Sequence, residues 1–366
     1  MRVFLAVLLC LPWLVSAEGV DKTFSFADCH RVQGKVVCDP REKSTARPVQ
    51  KNNLQALVNV TPSGGTLTIA PGEYQQGLIL YRPITLNMRG VHMHKVVWKK
   101  AALIVEQTEP GPIVINDYQH DGRHSDAVYR NLSGLRISGK QFDVTLNNAH
   151  IQHTAMGVLT DNKGGSLTIN DSVIENIGGI PGQSSLSHIV YAGLIDTLTI
   201  QDTVLRNSTG KGHLLKSRAK RTTVSRSELA GKDGEHSRVI DISCGGFLAV
   251  TNSLLQASAN ADNADLIAMG VEAPQNCHNT SRDNKVVITG NTILFDIRHK
   301  QQLPLADQIF FNWQGPVSSL NVSDNIIVAP GRFLWQAPWR HVDISIPKSA
   351  NNCIYKTREA AGLAGF

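Results

Sequence analysis

Side chains that transfer protons or bind anions recur in register along three strand-like segments in the middle of the chain. The segments SHIVYAG, GHLLKSR and SRVIDIS begin at residues 187, 212 and 237, so each starts 25 residues after the one before it. Histidine, tyrosine and lysine serve as general acids and bases, and arginine neutralises negative charge on a substrate. In the alignment such residues fall into columns, which are His188 with His213 and Arg238, Tyr191 with Lys216 and Asp241, and Gly193 with Arg218 and Ser243.

Two later segments, ADLIAMGVE from residue 264 and DQIFFNW from residue 307, extend this set of polar residues. Stacked strands lie about 4.8 Å apart, so side chains one turn apart can reach the same sugar ring. The residue types predict an active face spread over adjacent turns of a repeating fold. The predicted catalytic residues are Lys216, Arg238, His213, Tyr191 and His188, and the predicted substrate-binding residues are Arg218, Asp241, Asp265, Glu272 and Gln308.

Strict alternation along a strand conflicts with one of these columns. If Lys216 points outward, alternation points His213 inward. A bulge near Leu214 and Leu215 would return His213 to the outer face. The same argument applies to His188 relative to Tyr191, so we expect an irregularity where these strands begin.

A second pattern, which repeats along most of the chain, predicts the elements that position the columns. Its copies read apolar-x-apolar, then a polar pair of Asn, Asp or Ser, then an apolar pair, as in LTINDSVIENI and LAVTNSLLQAS. The spacing between successive copies fits a coil of three short strands with variable insertions. Asn and Asp suit corners with left-handed backbone. We predict an all-β fold, a right-handed parallel β-helix. The copies begin at residues 84, 144, 167, 198, 222, 248, 286 and 320.

An antiparallel β-sandwich is the alternative fold, because it also consists of many short strands. The Asn-containing corners at a coil-length period, without hairpin-turn dipeptides, favour the β-helix. Leu54, Leu57 and Val58 predict a short amphipathic helix that caps the first coil. The predicted divisions are a signal peptide at 1–17, an N-terminal arm or cap at 18–53, the β-helix at 54–345 and a C-terminal tail at 346–366.

The first 17 residues have the features of a secretion signal. Arg2 precedes an apolar run from Val3 to Val15, and Val15-Ser16-Ala17 matches an A-x-A-like cleavage site. The run is too short to cross a bilayer as a helix. We therefore expect a periplasmic or secreted protein with no membrane association after cleavage.

The cysteines fit an exported protein, in which disulfides are stable. Cys29 and Cys38 are close enough to close a local loop, Cys244 can reach Cys277 in the next coil, and one thiol is left over after signal cleavage. No C-x-x-C or Cys/His spacing is present, so we predict no structural zinc.

The charge balance indicates the chemical class of the partner. The chain has 36 Lys and Arg against 30 Asp and Glu, a formal net charge of +6. Such an excess favours a polyanionic partner. For an exported protein we expect an acidic polysaccharide rather than a nucleic acid, bound by a monomer.

The predicted active face matches one reaction on such a polymer. A polyuronate lyase removes the C5 proton of a uronate and eliminates the 4-O-linked sugar, which requires a base, an acid and a group that neutralises the carboxylate. A glycoside hydrolase would need two facing carboxylates, for which only Asp241 and Asp265 qualify. A polyuronate C5-epimerase, which begins with the same proton abstraction, and a non-catalytic glycan-binding or export scaffold remain as alternatives.

A resemblance supports the lyase. The run LLKSRAKRTTVSRSELAGKDGEHSRVIDISCGG is similar to the catalytic coils of β-helix polysaccharide lyases of the chondroitinase B and alginate lyase type. The resemblance implies that Lys216 is the base and that Arg238 is the acid or a carboxylate contact. The calcium-binding acidic residues of that family have no counterpart in residues 208–213. We therefore predict no cofactor, with Arg218 or His213 in place of Ca²⁺ as the neutralising group.

Overall fold

The chain forms a parallel β-helix, in which each coil adds one strand to each of three parallel sheets. The predicted parallel β-helix is therefore confirmed. The predicted signal peptide at 1–17 lies outside the residues that the structure describes. The computed structural model describes residues 29–32, 35–38, 54–94, 101–124, 132–161, 163–178, 187–272, 274–278, 282–297, 307–339 and 350–363.

The strands are numbered along the chain and grouped here by sheet. Sheet 1 contains β3 (Gly65–Thr68), β6 (Ile84–Asn87), β9 (Pro112–Asn116), β12 (Asp143–Asn147), β15 (Ser166–Asn170), β18 (Thr197–Gln201), β21 (Arg221–Ser225), β24 (Phe247–Thr251), β27 (Asn284–Thr289) and β30 (Val317–Ser323). Sheet 2 contains β4 (Gly72–Tyr74), β7 (Val91–His94), β10 (Gln119–Asp121), β13 (His150–Gln152), β16 (Val173–Ile177), β19 (Val204–Ser208), β22 (Glu228–Ala230), β25 (Leu254–Ala257), β28 (Thr292–Phe295), β31 (Ile326–Val328) and β33 (Cys353–Tyr355). Sheet 3 contains β5 (Leu78–Leu80), β8 (Ala101–Glu106), β11 (Ser133–Ser138), β14 (Met156–Thr160), β17 (Val190–Ala192), β20 (Leu215–Ser217), β23 (Ile240–Ile242), β26 (Asp265–Met269), β29 (Gln308–Trp313) and β32 (Phe333–Gln336).

The other elements are few and short. A separate antiparallel pair consists of β1 (Cys29–Val32) and β2 (Lys35–Cys38). Helix α1 spans Leu54–Val60, and 3₁₀ turns span Gly122–His124 and Pro274–Cys277. None of the helices in the described part of the chain has the length and apolar composition that a bilayer crossing requires.

The apolar positions of the repeat form the core. In β18, Leu198 and Ile200 are fully buried, and Thr199 between them is partly exposed. In-register pairing keeps each position apolar from coil to coil, as in the column Ile169, Ile200 and Val224. Burying one such side chain contributes about 1.5 to 3 kcal/mol, so the stacked columns hold successive coils together.

Helix α1 covers the open edge of the first coil. Leu54 and Val58 are buried against the stack. The side-chain amide of Gln55 donates to the Ile79 carbonyl (2.9 Å), and its oxygen accepts the Ile79 N–H (2.8 Å). Gln55 thereby satisfies backbone groups of β5, which pairs with another strand on its opposite edge alone. The predicted capping helix is confirmed.

The polar residues of the repeat lie at the corner between sheets 1 and 2. Asp171, Asp202 and Asn252 adopt a left-handed backbone there, with φ near 50°. The next residue is buried, and its side-chain oxygen accepts a backbone N–H from the preceding coil. This corner ladder runs through Ser172, Thr203, Ser227, Ser253, Asn291, Asn325 and Asn352.

Replacing Asn291 by alanine is expected to destabilise the fold by about 2 to 3 kcal/mol, because it breaks the ladder at a fully buried point. The Asn291 oxygen accepts the Ser253 N–H (2.9 Å), and its amide donates to the Val250 carbonyl (2.9 Å). The loss of stability is measured by urea unfolding of Asn291→Ala and of a control variant, Asn59→Ala. The control truncates an exposed residue of α1. Equal midpoints for the two variants would show that the ladder carries no stability.

One coil was not identified from the repeat pattern in the sequence. Strands β9 and β10 form a complete repeat at PIVINDYQHD, but Tyr118 occupies the corner position of Ala149 and Ser172, and His120 occupies a position that is apolar in the neighbouring coils. His120 is stacked between Met93 and Ile151 of the neighbouring coils and is almost fully buried. At the other end, β33 pairs with β31 inside the segment assigned to the C-terminal tail.

The disulfide predicted between Cys244 and Cys277 is present. Cys353 is also disulfide-bonded, and no described cysteine is free, contrary to the expected leftover thiol. Cys29 and Cys38 face each other in the β1–β2 pair, and a bond between them stays a prediction because their side chains lie outside what the structure describes.

Candidate functional site

Three short strands of sheet 3, β17, β20 and β23, carry the predicted columns. Tyr191 pairs with Lys216, and Lys216 pairs with Asp241, in one continuous parallel register. Their side chains lie on the outer face, since the adjacent Leu215 and Ile240 are fully buried in the core. The structure therefore brings together the column that the 25-residue spacing predicts.

The chain bends immediately before these strands. Leu214 and Leu215 are consecutive and both fully buried, while the ladder between β20 and β23 has no register shift. The irregularity expected there is therefore present, but it is a bend at Leu214 outside the ladder rather than a bulge within it. His213 still reaches the outer face, with Nε2 2.9 Å from Asp241 Oδ2, and its ring stacks on His188 at a centroid distance of 5.1 Å.

Backbone hydrogen bonds determine which ring nitrogens of the two histidines carry protons. The His213 N–H donates to His188 Nδ1 (2.8 Å), and the Arg238 N–H donates to His213 Nδ1 (3.2 Å). A backbone N–H only donates, so each Nδ1 is unprotonated and each neutral ring carries its hydrogen on Nε2. His213 thus donates to Asp241. In this geometry both rings are hydrogen-bond donors, and neither has a free lone pair with which to act as a base.

Burial and neighbouring charges together shift the pKa values of His188 and Asp241. Burial lowers the pKa of His188 well below its ordinary value, and electrostatic interactions with His213 and Lys216 lower it further. For Asp241, burial acts to raise the pKa, but the hydrogen bond and electrostatic effect of His213, with the charges of Lys216 and Arg238, outweigh it and lower the pKa to about 2. At neutral pH Asp241 is therefore an anion, surrounded by donors and cations.

Arg238 is held by partners from the next coils. Its Nε donates to the carboxylate of Asp265, and its Nη2 lies 3.5 Å from the Asn263 oxygen. Asn312 donates to the same Asp265 carboxylate (3.3 Å), whose residue is 4% exposed. The structure therefore brings Arg238 and Asp265 together, and Asp265 holds the guanidinium in place from a buried position.

Gln308 is not part of this face, and its assignment to substrate binding is corrected. Its side chain is fully buried. It donates to the Phe295 carbonyl (3.3 Å) and accepts the Gly331 N–H (2.9 Å). Gln308 lies at the start of β29, whereas Asn312 of the same strand continues the column of Asp241 through Ala268. Extending the column by register would have selected Asn312.

A second group of side chains in the site consists of Lys216, Arg218, Tyr191 and Glu272. Arg218 makes a two-point contact with Glu272, Nε to Oε2 (2.7 Å) and Nη2 to Oε1. Lys216 Nζ lies 3.6 Å from the same Oε1. Both cations lie over the Tyr191 ring, at 5.3 Å for the guanidinium and 5.6 Å for the ammonium. The contacts of the planar guanidinium with the carboxylate and with the aromatic ring fix the orientation of Arg218.

These neighbours set the ionisation of Tyr191 and Glu272 in opposite directions. Burial raises the pKa of the Tyr191 hydroxyl, and the negative charges of Glu272 and Asp241 add to the rise, while Arg218 opposes it. Burial would also raise the pKa of Glu272, but the hydrogen bond from Arg218 and the charges of Lys216 and Arg218 lower it overall. Tyr191 is therefore a proton donor at neutral pH, and Glu272 is an anion.

A disulfide holds the loop that supplies Glu272. Cys277, in the loop after β26, is bonded to Cys244, which follows β23. Further along, Arg282 donates to the Arg218 carbonyl (2.9 Å). The loop is thus fastened to the end of the central site strands at two places. Sequence spacing predicted the disulfide but gave no signal for Arg282.

Arg136 is a further basic residue of the same face that the sequence did not indicate. In β11 it pairs with Leu159 of β14, which in turn pairs with Tyr191. It forms an ion pair with Asp161. The column therefore extends two coils toward the N-terminus, which could be found only by aligning SGLRIS with the later segments.

The described residues offer little for a metal ion. In that part of the chain, the one grouping of His, Cys, Asp and Glu donor atoms close enough to share an ion is Cys244, Glu272 and Cys277. Its two sulfurs are joined in the disulfide and are therefore not thiolate ligands.

Comparison with protein families, curated proteins and solved structures finds no match to this chain. The functional argument therefore rests on the geometry of the site.

Proposed function

We propose that this chain is a polysaccharide lyase that cleaves an acidic, uronate-containing polysaccharide by β-elimination. The observation that supports this most is the group formed by Lys216, Arg218 and Tyr191, which places a basic amine, a carboxylate-binding guanidinium and a protonated hydroxyl side by side on one outer face. The resemblance of residues 214–246 to lyase coils points the same way.

Each group has one role in the proposed reaction. Lys216, in its amine form, takes the C5 proton of the uronate, and the electrons of the C–H bond form the C4–C5 double bond as the 4-O leaving group departs. Arg218 neutralises the carboxylate, which stabilises the negative charge that develops in the transition state. Tyr191 gives its proton to the leaving oxygen.

Arg238 and the histidines support this chemistry indirectly. A guanidinium does not lose its proton in proteins, so Arg238 is a poor general acid, and its contact with Asp265 makes it a fixed positive charge. Because His188 and His213 present N–H groups, they are assigned as hydrogen-bond donors that orient Asp241 and the substrate. Of the five residues predicted to be catalytic, this assignment leaves Lys216 and Tyr191 with direct roles in proton transfer.

The charge state of the carboxyl groups argues against hydrolysis. A glycosidase needs one carboxylic acid whose pKa is raised so that it can protonate the leaving group. Here the pKa values of Asp241 and Glu272 are both lowered. Neither of these two carboxyl groups is therefore the protonated acid that the hydrolytic mechanism requires.

Turnover of a panel of polyuronates and neutral polysaccharides tests the proposal. A lyase produces an unsaturated uronate end, which absorbs in the ultraviolet, together with shorter chains detectable by mass. We expect both signals on at least one polyuronate, with and without EDTA, and none on neutral polymers. Solvent deuterium entering the polymer without cleavage would replace the lyase by the epimerase, and binding without any turnover would favour the non-catalytic glycan-binding protein.

A further inference from the structure

Glu272 has the contacts that a substrate carboxylate would make. Both of its oxygens face Arg218, and Oε1 also lies 3.6 Å from Lys216. This is the planar two-point geometry with which arginine binds carboxylates. Glu272 comes from a different coil, 54 residues after Arg218, so an internal anion occupies the guanidinium and the lysine that the proposed reaction needs.

We propose that Arg218 and Lys216 form a carboxylate subsite for one uronate of the substrate, and that Glu272 occupies this subsite until the substrate displaces it. The proposal rests on the proposed function for the identity of the ligand as a uronate. It makes Glu272 a gate that selects for carboxylate-bearing sugars, rather than a direct substrate contact.

The backbone around Glu272 is fastened without the help of the ion pair. The Glu272 N–H donates to the Ser243 carbonyl (3.1 Å), and the Cys244–Cys277 disulfide closes the loop. The side chain is 16% exposed and has three rotatable torsions. Glu272 can therefore leave the subsite by rotating its side chain, with no movement of the loop.

Asp265, the carboxylate partner of Arg238, differs in this respect. It is 4% exposed and is also bound by Asn312. Displacing it would leave a buried charge unpaired, which is strongly unfavourable. Of the pairs Arg218–Glu272 and Arg238–Asp265, the pair of Arg218 is thus the one suited to exchange with a ligand.

Removing the charge of Glu272 should tighten binding of a uronate. A ligand that binds only the vacant form has its apparent affinity reduced by the fraction of molecules in which the subsite is vacant. If Glu272 leaves about one molecule in ten vacant, Glu272→Gln should lower the Kd by about tenfold. The glutamine keeps the shape of the side chain but loses the charge that pairs with Arg218.

Calorimetric titration of the whole chain with D-glucuronate, and with D-glucose as the neutral counterpart, measures this change. We expect Glu272→Gln to bind glucuronate about tenfold more tightly than the unchanged protein, and Arg218→Ala in the same background to lose the gain. Glu228→Gln, which removes a carboxylate paired with Lys232 on sheet 2, serves as the matched control and should bind as the unchanged protein does. Equal or weaker glucuronate binding by a folded Glu272→Gln would overturn the proposal.

A second measurement applies if Glu272→Gln does not fold. Glucuronate added to the unchanged protein should shift the side-chain Nε–H resonance of Arg218, and glucose should not. An Arg218 resonance that stays constant at glucuronate concentrations that saturate the protein would refute the subsite. Both readouts are independent of turnover, so tighter binding with no lyase activity would remove the β-elimination reaction and leave the subsite in place.

Discussion

Lys216→Ala is expected to lower kcat/KM on the acidic polysaccharide by about a thousandfold, because it removes the base that starts the elimination. The geometry of the site favours Lys216 as the general base. His188 and His213 accept backbone N–H groups at Nδ1, and the raised pKa of Tyr191 keeps its hydroxyl protonated. The two rings and the hydroxyl are limited to donating, and the lowered pKa values of Asp241 and Glu272 make their carboxylates weak bases. Lys216 is therefore the proton acceptor that remains in the group.

A charge-conserving variant separates catalysis from binding. Lys216→Arg keeps the positive charge beside Glu272 but cannot take up a proton, so it should bind the polymer and show the same loss of kcat as Lys216→Ala. Lys220→Ala, which removes an exposed lysine paired with Asp196, is the matched control. Initial rates, polymer binding and melting temperature should be measured for all three variants. Activity of Lys216→Arg near that of the unchanged protein would show that Lys216 supplies charge and that another residue is the base.

The column of Tyr191, Lys216 and Asp241 was predictable because spacing alone defines it. In a parallel stack with in-register pairing, residues one coil apart must be neighbours. Equal 25-residue steps therefore place them in contact whatever their side chains are. The corner residues were predictable for a similar reason, since few residue types tolerate the left-handed backbone found at Asp171 and Asn252.

Contacts made by inserted loops could not be predicted from the spacing of the coils. Glu272 was selected from its position after a strand, but its pairing with Arg218 depends on the path of the loop that Cys277 closes. Coil spacing does not contain that path. The tautomers of the histidines are likewise set by the backbone hydrogen bonds of His213 and Arg238, which are features of the bend at Leu214 rather than of the sequence pattern.

Gln308 shows that residue type does not reveal whether a side chain reaches the surface. It became a candidate as a polar residue of the segment DQIFFNW, which continues the columns. Register decides otherwise, since the outward position of β29 in the column is Asn312. Residue type identifies the chemistry, and only the register of the strand identifies which residue reaches the surface.

Acid is expected to destabilise the protein well above the pH at which its carboxylates titrate, because of two histidines in the interior. Burial lowers the pKa of His120 from 6.5 to about 4, against the opposing effects of the Met93 carbonyl and Asp121. Burial likewise lowers the pKa of His236 to about 4. Below pH 6.5 the unfolded chain binds protons that the folded chain does not, so stability falls with pH until about pH 4. Each histidine should cost about 2 kcal/mol between pH 7 and pH 5.

His120→Met isolates one of these contributions, because methionine matches Met93 in the neighbouring coil of the same core column. The free energy of unfolding in urea, measured at pH 7 and pH 5, should fall by about 2 kcal/mol less in this variant than in the unchanged protein. His278→Gln, which alters an exposed histidine, should retain the full loss. If His120→Met loses as much stability on acidification as His278→Gln, the ring of His120 is protonated inside the folded chain. The interior of this coil would then tolerate a charge, and the acid sensitivity would have to originate at His236 or at the buried His188 of the outer face.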